Sequence, residues 1–288
     1  MLSILIVNWN TREFLRACLR SIYANAPKEP FEVIVVDNAS SDESAEMVRT
    51  EFTKALLIEA GNNTGYAHGN NMAAERARGD WLLTLNPDTE VLEGTLQNAI
   101  EKLRSNPKYG ALGIQQIGMD GQVQPSVRGF PTFRGILGDM SGTGKLFGGS
   151  LDSYRLTRFS YTTEQVAPQP MGTFLLFRRE ALAAVGDPGR PFDESFPIFF
   201  NEVDLLFRMA KAGWPCLYTP DVKIKHTGGG STKLVRKNMI WESHRSLARF
   251  FEKHYRTPWT APFLPLLRGF ISLGALIRAR GVHGGFQS

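Results

Sequence analysis

Short apolar runs alternate with amphipathic segments along the first 90 residues. Between the first two runs, apolar residues recur at helical spacing: Phe14, Leu15, Cys18, Leu19 and Ile22. Asn10 or Thr11 is a candidate N-cap of this predicted helix. Residues 67–78 are also predicted to be helical. Ser40 and Glu43 form a capping-box pattern that predicts a helix from there to about Phe52. Runs rich in Ile, Val and Leu are typical of buried parallel strands; they cover Leu2–Val7, Phe31–Val36, Leu56–Ile58 and Trp81–Leu85. This order predicts an α/β fold in which a parallel sheet has helices on both faces.

The rest of the chain shows weaker patterns. Asp120-Gly121 is a hairpin signal. Residues 125–168 have little periodicity and predict a long, partly mobile insertion of the kind that forms a lid or an acceptor-side loop. Further elements are predicted as helices at 93–104, Asn201–Ala212 (with Asn201 as N-cap) and 238–255, and as strands at Gly172–Phe177 and Val222–His226.

Composition excludes several classes of protein. The chain has 288 residues, of which 42% are hydrophobic and 21% charged, so it is neither disordered, collagen-like nor a disulfide scaffold. Two cysteines are too few for a disulfide framework or a cysteine-ligated metal site, and they fit a reducing compartment. The pattern predicts neither a signal peptide nor a run of 18 apolar residues, and therefore no spanning helix.

Positive charge is concentrated at the C-terminal end. Residues 233–288 carry ten Lys and Arg against two Glu, a net charge of +8 in a chain whose total is +5. Such a segment suits an anionic membrane surface or a polyanion, or it is simply solvated. The apolar stretch 263–279, interrupted by Arg268 and flanked by Trp259, predicts either an interfacial segment on the inner membrane or a helix packed on protein. Nucleic-acid binding has no supporting motif.

Polar residues follow all four N-terminal strands. Ligands of open α/β sheets bind outside the carboxyl ends of the strands, although Asn and Asp are also ordinary turn formers. The residues are Asn8 and Asn10, Asp37 and Asn38, Asn62 and Asn63, and Asn86 and Asp88. Four such groups favour a binding site. It is not a dinucleotide site of the Rossmann type, because the turn after the first strand lacks glycine. It is not a P-loop either: around Gly144-Lys145, Asp139 stands where that motif needs glycine and Leu146 where it needs Ser or Thr.

Individual side chains suggest chemistry, each beside a structural alternative. Asp37 could accept hydrogen bonds from a nucleobase or ribose, or cap its turn, and Asp88 could ligate Mg²⁺ or Mn²⁺ beside a substrate diphosphate. Glu202 and Asp204 point apart on a helix, so one could act as a general base while the other anchors the helix. His226 could ligate a metal or contact a phosphate, or be structural.

Eight motifs in order resemble the family 2 glycosyltransferases of GT-A fold, in the branch that includes bacterial rhamnosyltransferases acting on cell-surface polysaccharides. The resemblance covers about residues 1–255. The motifs are Ile4 to Asn10, Val35 to Asp42, Asn63 to Asn71, Leu85 to Asp88, Gly172 to Arg179, Phe192 to Glu194, Phe200 to Asp204 with Arg208, and His226 with Gly228 to Thr232.

The resemblance implies a GT-A catalytic domain over residues 1–232, with a donor half at about 1–110 and an acceptor half at about 111–232. Residues 233–288 would be a basic helical extension. The implied reaction is inverting transfer of a sugar, rhamnose in that branch, from a nucleotide-diphospho-sugar to a hydroxyl of a glycan or lipid-linked acceptor. A cytoplasmic location is expected, and the basic tail, which lies beyond the resemblance, adds the hypothesis of attachment at the cytoplasmic face of the membrane. Two alternatives are a non-catalytic nucleotide-sugar or glycan-binding module of the same fold and a nucleotidylyltransferase, whose Gly-rich N-terminal loop is missing here.

The resemblance also implies roles for single residues. Glu202 would be the catalytic base, and an ordinary glutamate pKa of about 4.3 would leave it ionised at neutral pH. Asp88 and His226 would bind Mg²⁺ or Mn²⁺; Asn86 replaces the first Asp of the family's D-x-D motif, which leaves one firm carboxylate ligand. The donor would contact Val7, Asn10, Asp37, Asn63, Gly65, Asn86, Asp88 and His226, and acceptor or structural support would come from Asp193, Glu194, Asp204 and Arg208.

Overall fold

The computed structural model describes residues 1–141, 154–228 and 236–281. Its strands are β1 (Leu2–Asn8), β2 (Phe31–Asp37), β3 (Leu56–Glu59), β4 (Trp81–Leu85), β5 (Thr89–Val91), β6 (Ala111–Ile117), β7 (Val127–Arg128), β8 (Gln165–Val166), β9 (Gln169–Pro170), β10 (Phe174–Arg178) and β11 (Cys216–His226). Its helices are α1 (Arg12–Ala24), α2 (Ser44–Glu51), α3 (Tyr66–Arg76), α4 (Thr95–Arg104), α5 (Phe133–Ser141), α6 (Arg179–Ala183), α7 (Asn201–Lys211), α8 (Arg236–Tyr255), a 3₁₀ turn (Ala261–Phe263) and α9 (Leu264–Ala279).

A nine-stranded, mostly parallel sheet runs through the molecule. Its order is β3-β2-β1-β4-β10-β6-β11-β5, with β8 paired to β11. Strands β3, β2, β1 and β4 are parallel, whereas β10 is antiparallel to both of its neighbours, β4 and β6. The predicted α/β class and the four N-terminal strands are therefore confirmed.

Helices cover both faces of this sheet. Along β1, alternate residues point to opposite faces, as a strand requires, so Ile4 and Ile6 join one core cluster and Leu5 and Val7 join the other. The first cluster includes side chains of α1, α2 and α4, and the second includes side chains of α3, α6 and α7. The sheet is thus buried on both sides, which explains the continuous apolar runs in its sequence.

A third core cluster joins the C-terminal helices to α7. Val203 and Phe207 of α7 pack with Phe250 and Phe251 of α8 and with Ile271 of α9. The rings of Phe207 and Phe250 meet edge to face, with their centroids 5.2 Å apart. The C-terminal helices therefore share a hydrophobic core with the helix that carries Glu202.

Two predicted helix starts are wrong. Helix α2 begins at Ser44 and not after Ser40, because the Asp42 side chain accepts a hydrogen bond from the Ser44 backbone N–H (3.1 Å). Ser40 is engaged elsewhere, at the end of β1. Asn201 is the first residue of α7 and not its N-cap; its side chain donates back to the Ile198 carbonyl (2.7 Å).

The insertion at 125–168 contains more regular structure than its sequence suggested. It includes β7, α5 and β8, while residues 142–153 lie outside the described residues. Residues 229–232 of the glycine motif after His226 also lie outside them. The turn at Asp120-Gly121 is confirmed, since Ile117 and Val123 form an antiparallel bridge across it.

The prediction of no helix long enough to span a membrane is wrong for the described chain. Residues Ala261–Ala279 form one helical stretch of 19 residues with a mean hydropathy of 1.3, which meets the length and composition of a membrane span. Most of this stretch is exposed. Length and composition alone do not distinguish a span from an interfacial helix.

Candidate functional site

The strand-end residues meet where the order of the sheet reverses. From β1, the chain continues outward to β2 and β3 on one side, while β4 and the later strands lie on the other. In doubly wound sheets this reversal opens a crevice at the carboxyl ends of the strands. The N-terminal ends of α3 and α7 also reach this edge, since Pro197, just before α7, accepts a backbone hydrogen bond from Ala67 (3.1 Å).

A hydrogen-bonded network holds the ends of β1 and β2 together. Asn8 donates to one carboxylate oxygen of Asp37 (3.2 Å) and to Ser40 Oγ (3.1 Å), while the Ser40 backbone N–H donates to the other Asp37 oxygen (2.9 Å). Asp37 is almost fully buried and does cap its turn. Because each carboxylate oxygen has two acceptor sites, Asp37 can still accept a hydrogen bond from a ligand.

Asn10 belongs to the same network. Its side-chain oxygen accepts a hydrogen bond from the Ser41 backbone N–H (2.7 Å), and its own N–H donates to Ser40 Oγ (3.0 Å). The Val7 side chain, by contrast, packs in the core against Gly69 of α3, where an added Cβ would lie 2.8 Å from Val7 Cγ1. Val7 was predicted to bind the donor, but because its side chain is in the core, only its main chain could contact a ligand.

The loop before α3 is fixed by Asn63 and Gly65. Asn63 Oδ1 accepts hydrogen bonds from Asn38 Nδ2 (3.0 Å) and from the Gly65 N–H (3.1 Å). Gly65 has a φ of +88°, and a Cβ there would lie 2.7 Å from the Pro197 carbonyl oxygen. Only glycine fits this close approach, so the loop and the segment before α7 lie directly against each other.

Tyr66 connects the two sides of the candidate site. Its hydroxyl donates to Asn86 Oδ1 (3.1 Å) and lies 3.4 Å from the Gly172 carbonyl oxygen. Burial raises the pKa of the Tyr66 hydroxyl, and the nearby negative charges of Glu202 and Asp88 raise it further. Tyr66 is therefore a neutral donor that lies within the electrostatic reach of both candidate carboxylates. Sequence analysis did not select it, although it belongs to one of the motifs.

Glu202 lies in the first turn of α7, beside Gly172. Its Cγ is 3.6 Å from the position that a Cβ on Gly172 would occupy. The residue is only partly exposed, and burial raises the pKa of its carboxyl group to about 7. The expectation of an ordinary pKa is thus wrong, because desolvation disfavours the charged carboxylate. A carboxyl group with a pKa near neutral can accept a proton from an alcohol at physiological pH.

Asp88 and His226 face each other across β5 and β11. His226 Nε2 is 3.6 Å from Asp88 Oδ2, and both side chains are about nine-tenths buried. Gln124, which sequence analysis missed, donates its amide N–H to the His226 carbonyl (3.0 Å), so its Oε1 accepts from His226 Nδ1 (2.9 Å). Gln124 thus fixes the ring so that its Nε2 faces the Asp88 carboxylate.

The Asp88 carboxylate suits Mg²⁺ or Mn²⁺, and the His226 imidazole is the softer ligand of the pair. A neutral imidazole nitrogen held by a partner on its other nitrogen, together with a carboxylate, is a common ligand pair in metal sites. Among the described residues, no group of three or more His, Cys, Asp or Glu side chains could hold a metal. The remaining ligands would have to come from a substrate diphosphate and water, as is usual for Mg²⁺.

The four predicted support residues all form ion pairs with other side chains of the chain. Asp204 is fully buried and accepts hydrogen bonds from Arg208 Nε (2.8 Å) and His254 Nε2 (2.6 Å). Asp193 pairs with Lys253 (2.7 Å), and Glu194 pairs with His68 Nδ1 (2.9 Å). The contacts separate Glu202 from Asp204, as their spacing along the helix predicts.

Comparisons with known proteins identify the family of the chain. The family model described as "Glycosyl transferase family 2" matches residues 3–186, more than half of the chain. An N-acetylglucosaminyl-diphospho-decaprenol L-rhamnosyltransferase of Mycobacterium tuberculosis is 27% identical over 97% of this chain and 93% of its own length. Rhamnosyltransferase WbbL of Escherichia coli is 24% identical over 93% of both chains.

Solved structures with this fold include a sugar transferase bound to its donor. The mannosyltransferase PcManGT of Pyrobaculum calidifontis, in complex with GDP-Man and Mn²⁺, has a TM-score of 0.61 and is 21% identical. The match covers 100% of this chain and 76% of that one. At this identity the similarity shows the shared GT-A fold.

Proposed function

Because the chain belongs to glycosyl transferase family 2 and is a glycosyltransferase that uses a nucleotide sugar, we propose that it transfers rhamnose, with inversion, to a hydroxyl of a lipid-linked sugar acceptor. The names of the two full-length relatives support rhamnose, and the first of them acts on an N-acetylglucosaminyl-diphospho-lipid. The proposed role is a step of cell-surface polysaccharide synthesis.

The observation that carries this proposal is the carboxyl group of Glu202, buried beside Tyr66 on the edge of the sheet that also presents Asp88. In the proposed reaction, Glu202 takes the proton of the acceptor hydroxyl as that oxygen attacks the anomeric carbon. The bond from that carbon to the diphosphate breaks on the opposite face, so the configuration inverts. The Tyr66 hydroxyl donates to Asn86 and lies within electrostatic reach of both carboxylates. The retained carboxylates favour an enzyme over a non-catalytic binding module.

Asp37, Asn10, Asn63 and Gly65 form the proposed nucleotide side of the site. Asp37 is fixed by Asn8 and Ser40 and would accept a hydrogen bond from the nucleobase. Asp88 and His226 would hold Mg²⁺ or Mn²⁺. When bound, such a cation neutralises the charge that develops on the departing diphosphate.

We also propose that α9 attaches the enzyme to the cytoplasmic face of the membrane. Leu264, Ile271 and Ala275 of α9 pack inward. The opposite side of the helix exposes an apolar stripe at helical spacing: Leu266, Phe270, Leu273 and Ile277. The net charge of +8 over residues 233–288 is complementary to anionic lipid headgroups. Attachment there would bring the active site to a lipid-linked acceptor.

The experiment that tests the transferase proposal pairs donor binding with turnover. Thermal shift is measured with UDP-, dTDP- and GDP-linked sugars, each with and without Mn²⁺ or Mg²⁺. A ligand at 100 times its Kd should stabilise the fold by about 2.7 kcal/mol. Sugar transfer from the stabilising donor to an N-acetylglucosaminyl-diphospho-lipid is then followed by mass spectrometry. Donor binding without transfer to any acceptor would favour a binding module, and the absence of both would contradict the proposal.

A further inference from the structure

A cavity of about 330 Å³ lies between the segment before α7 and the N-terminal half of α8. Pro197 and Ile198 form one side of its lining. The other side is formed by five residues of α8: Asn238, Met239, Trp241, Glu242 and Arg245. A volume of this size lies in the range of small-molecule pockets. None of the residues assigned above to base, cation or nucleotide lines it.

The cavity lies next to the contact between α8 and the segment before α7. Towards its C-terminal end, α8 is attached to residues 193–196: Lys253 pairs with Asp193 (2.7 Å), and Arg249 donates to the Ser195 carbonyl. Both cationic side chains also lie over the Phe196 ring. Arg245 is the next residue along this face of the helix, one turn before Arg249. It is exposed, and no ion pair or hydrogen bond to another residue of the described ranges satisfies its guanidinium group.

The lining groups match the parts of a sugar diphosphate. A Trp ring offers an apolar face to the C–H face of a pyranose, and the Glu242 carboxylate and the Asn238 amide can bond its hydroxyl and amide groups. Ser246 donates to Glu242 (3.3 Å), which orients the carboxylate. The Arg245 guanidinium is suited to bidentate contact with phosphate oxygens.

Two residues of the cavity wall are hydrogen-bonded to neighbours of the catalytic residues. The Ile198 carbonyl accepts a hydrogen bond from Asn201, the residue before Glu202. The Pro197 carbonyl accepts one from Ala67, the residue after Tyr66. The wall formed by Pro197 and Ile198 thus belongs to the segment that leads into Glu202 and that is hydrogen-bonded to the residue after Tyr66.

We infer that this cavity is the acceptor subsite, in which Trp241 and Glu242 hold the acceptor sugar and Arg245 holds its diphosphate. The inference rests on the proposed function and adds to it the residues that recognise the acceptor. The lipid would extend towards α9, which packs on α8 and carries the exposed apolar stripe. Trp241, Glu242 and Arg245 are specificity-determining residues in this assignment.

Direct binding tests the inference independently of turnover. The probes are N-acetylglucosaminyl diphosphate and monophosphate on a short isoprenoid, and the alkyl glycoside without phosphate. Affinities are measured by calorimetry on the full chain in the presence of donor nucleotide. We expect Arg245→Ala to weaken diphosphate binding by about tenfold to 100-fold and to leave the phosphate-free glycoside unaffected. Trp241→Ala should weaken all three probes, and Trp241→Phe and Arg245→Lys should recover part of the loss.

Matched controls separate this inference from the proposed function. Arg20→Ala removes an exposed arginine of α1 far from the cavity and should change no affinity. Donor binding by thermal shift should be the same in every variant, which shows that each one folds. The assignment is overturned if the Trp241 and Arg245 variants bind all probes like the wild type, or if the wild type binds none. Transfer by the wild type, measured in parallel, reports on the proposed function.

Discussion

At the scale of single residues, burial of Glu202 determines the pH at which the enzyme works. A general base acts only when deprotonated, and the pKa of this carboxyl group is raised to about 7. Turnover should therefore rise with pH through neutrality to a plateau. At pH 6 turnover should be about a tenth of its plateau value, because at one pH unit below the pKa only about a tenth of the carboxyl groups are ionised. The measurement is kcat against pH from 5 to 9 with saturating substrates.

Glu202→Gln supplies the control for this profile. The amide keeps the shape of the side chain but cannot accept the proton, so turnover should fall by about 10²–10⁴-fold while donor binding is kept. The residual activity should lack the rise through pH 7. A variant with the wild-type rate, or one with the same pH profile, would remove Glu202 from the role of base.

Asp88 and His226 lead to a prediction about the cation. Chelation by EDTA should abolish most activity, and added Mn²⁺ or Mg²⁺ should restore it. Asp88→Asn removes the carboxylate of the pair and should raise the cation concentration needed for half-maximal activity by about tenfold or more. Asp80→Asn is the matched control, because Asp80 is exposed at the opposite end of β4. Equal cation dependence in both variants would contradict the assignment.

The sequence could place the strand-end residues but not their partners. Asn8, Asp37 and Asp88 follow strands that their apolar runs make recognisable, so their common edge is predictable. Gln124 reaches His226 from 102 positions away, and no local pattern encodes such a contact. The raised pKa of Glu202 likewise depends on burial by distant segments, and no pattern around residue 202 indicates it.

At the scale of elements, Asp204 attaches α7 to the C-terminal helix α8. Although burial alone would raise it, the pKa of Asp204 is lowered to about 2 by His254, Arg208 and Lys253. Asp204→Asn leaves Arg208 and Lys253 without their carboxylate and should lower the free energy of unfolding by about 3–5 kcal/mol. Asp221→Asn should cost less than about 1 kcal/mol, because Asp221 is 67% exposed beside Lys102. Urea unfolding of the two variants measures the difference.

The same carboxylate gives this stability a pH dependence of known sign. Since folding lowers the pKa of Asp204, its contribution is fully present above the unfolded pKa of about 3.9 and is lost as pH falls towards 2. The stability difference between wild type and Asp204→Asn should therefore shrink from pH 5 to pH 2. A difference that stays constant over this range would mean that the ionised carboxylate is not what holds the helices together.

Element boundaries show where local patterns stop being sufficient. Buried strands were predictable because both faces of the sheet are covered, which demands continuous apolar runs. The start of α2 could not be predicted in this way. Ser40 is a candidate cap by sequence, but in the fold it bonds to Asn8, and Asp42 accepts the hydrogen bond from the first residue of the helix. Helix α5 lies in a stretch rich in Gly and Ser, and its Ile136 gains a buried position only from the third core cluster.

At the scale of the whole molecule, the described C-terminal helices are part of the folded body and also present a surface outward. Their inner sides complete the core around α7, and Lys253 and His254 hold Asp204. The division of the chain at residues 232 and 233 stays a prediction. Helix α8 and the helix that carries Glu202 therefore share one core.

The outward stripe of α9 leads to the last prediction, which concerns membrane attachment. Leu266 and Leu273 are 73% and 52% exposed on the side of α9 that faces away from the protein. The full chain should bind vesicles that contain phosphatidylglycerol more tightly than vesicles of phosphatidylcholine alone, and salt should weaken that binding. A double Leu266→Glu and Leu273→Glu variant should bind about tenfold or more weakly, because the apolar side chains no longer enter the interface. Cosedimentation with vesicles measures both effects.

Ser272→Glu is the matched control for this variant, because it adds charge to the same helix beside the stripe and not within it. Ser272 is exposed and donates only to the Arg268 carbonyl one turn earlier (2.8 Å), so its replacement should change vesicle binding little. Thermal melting shows whether each variant keeps its fold. If Ser272→Glu weakened binding as much as the double variant, charge alone would account for attachment and the stripe would have no role. If the wild type ignored vesicles and dimerised with increasing concentration, the stripe would be a contact between two copies of the chain, and access to a lipid-linked acceptor would need another route.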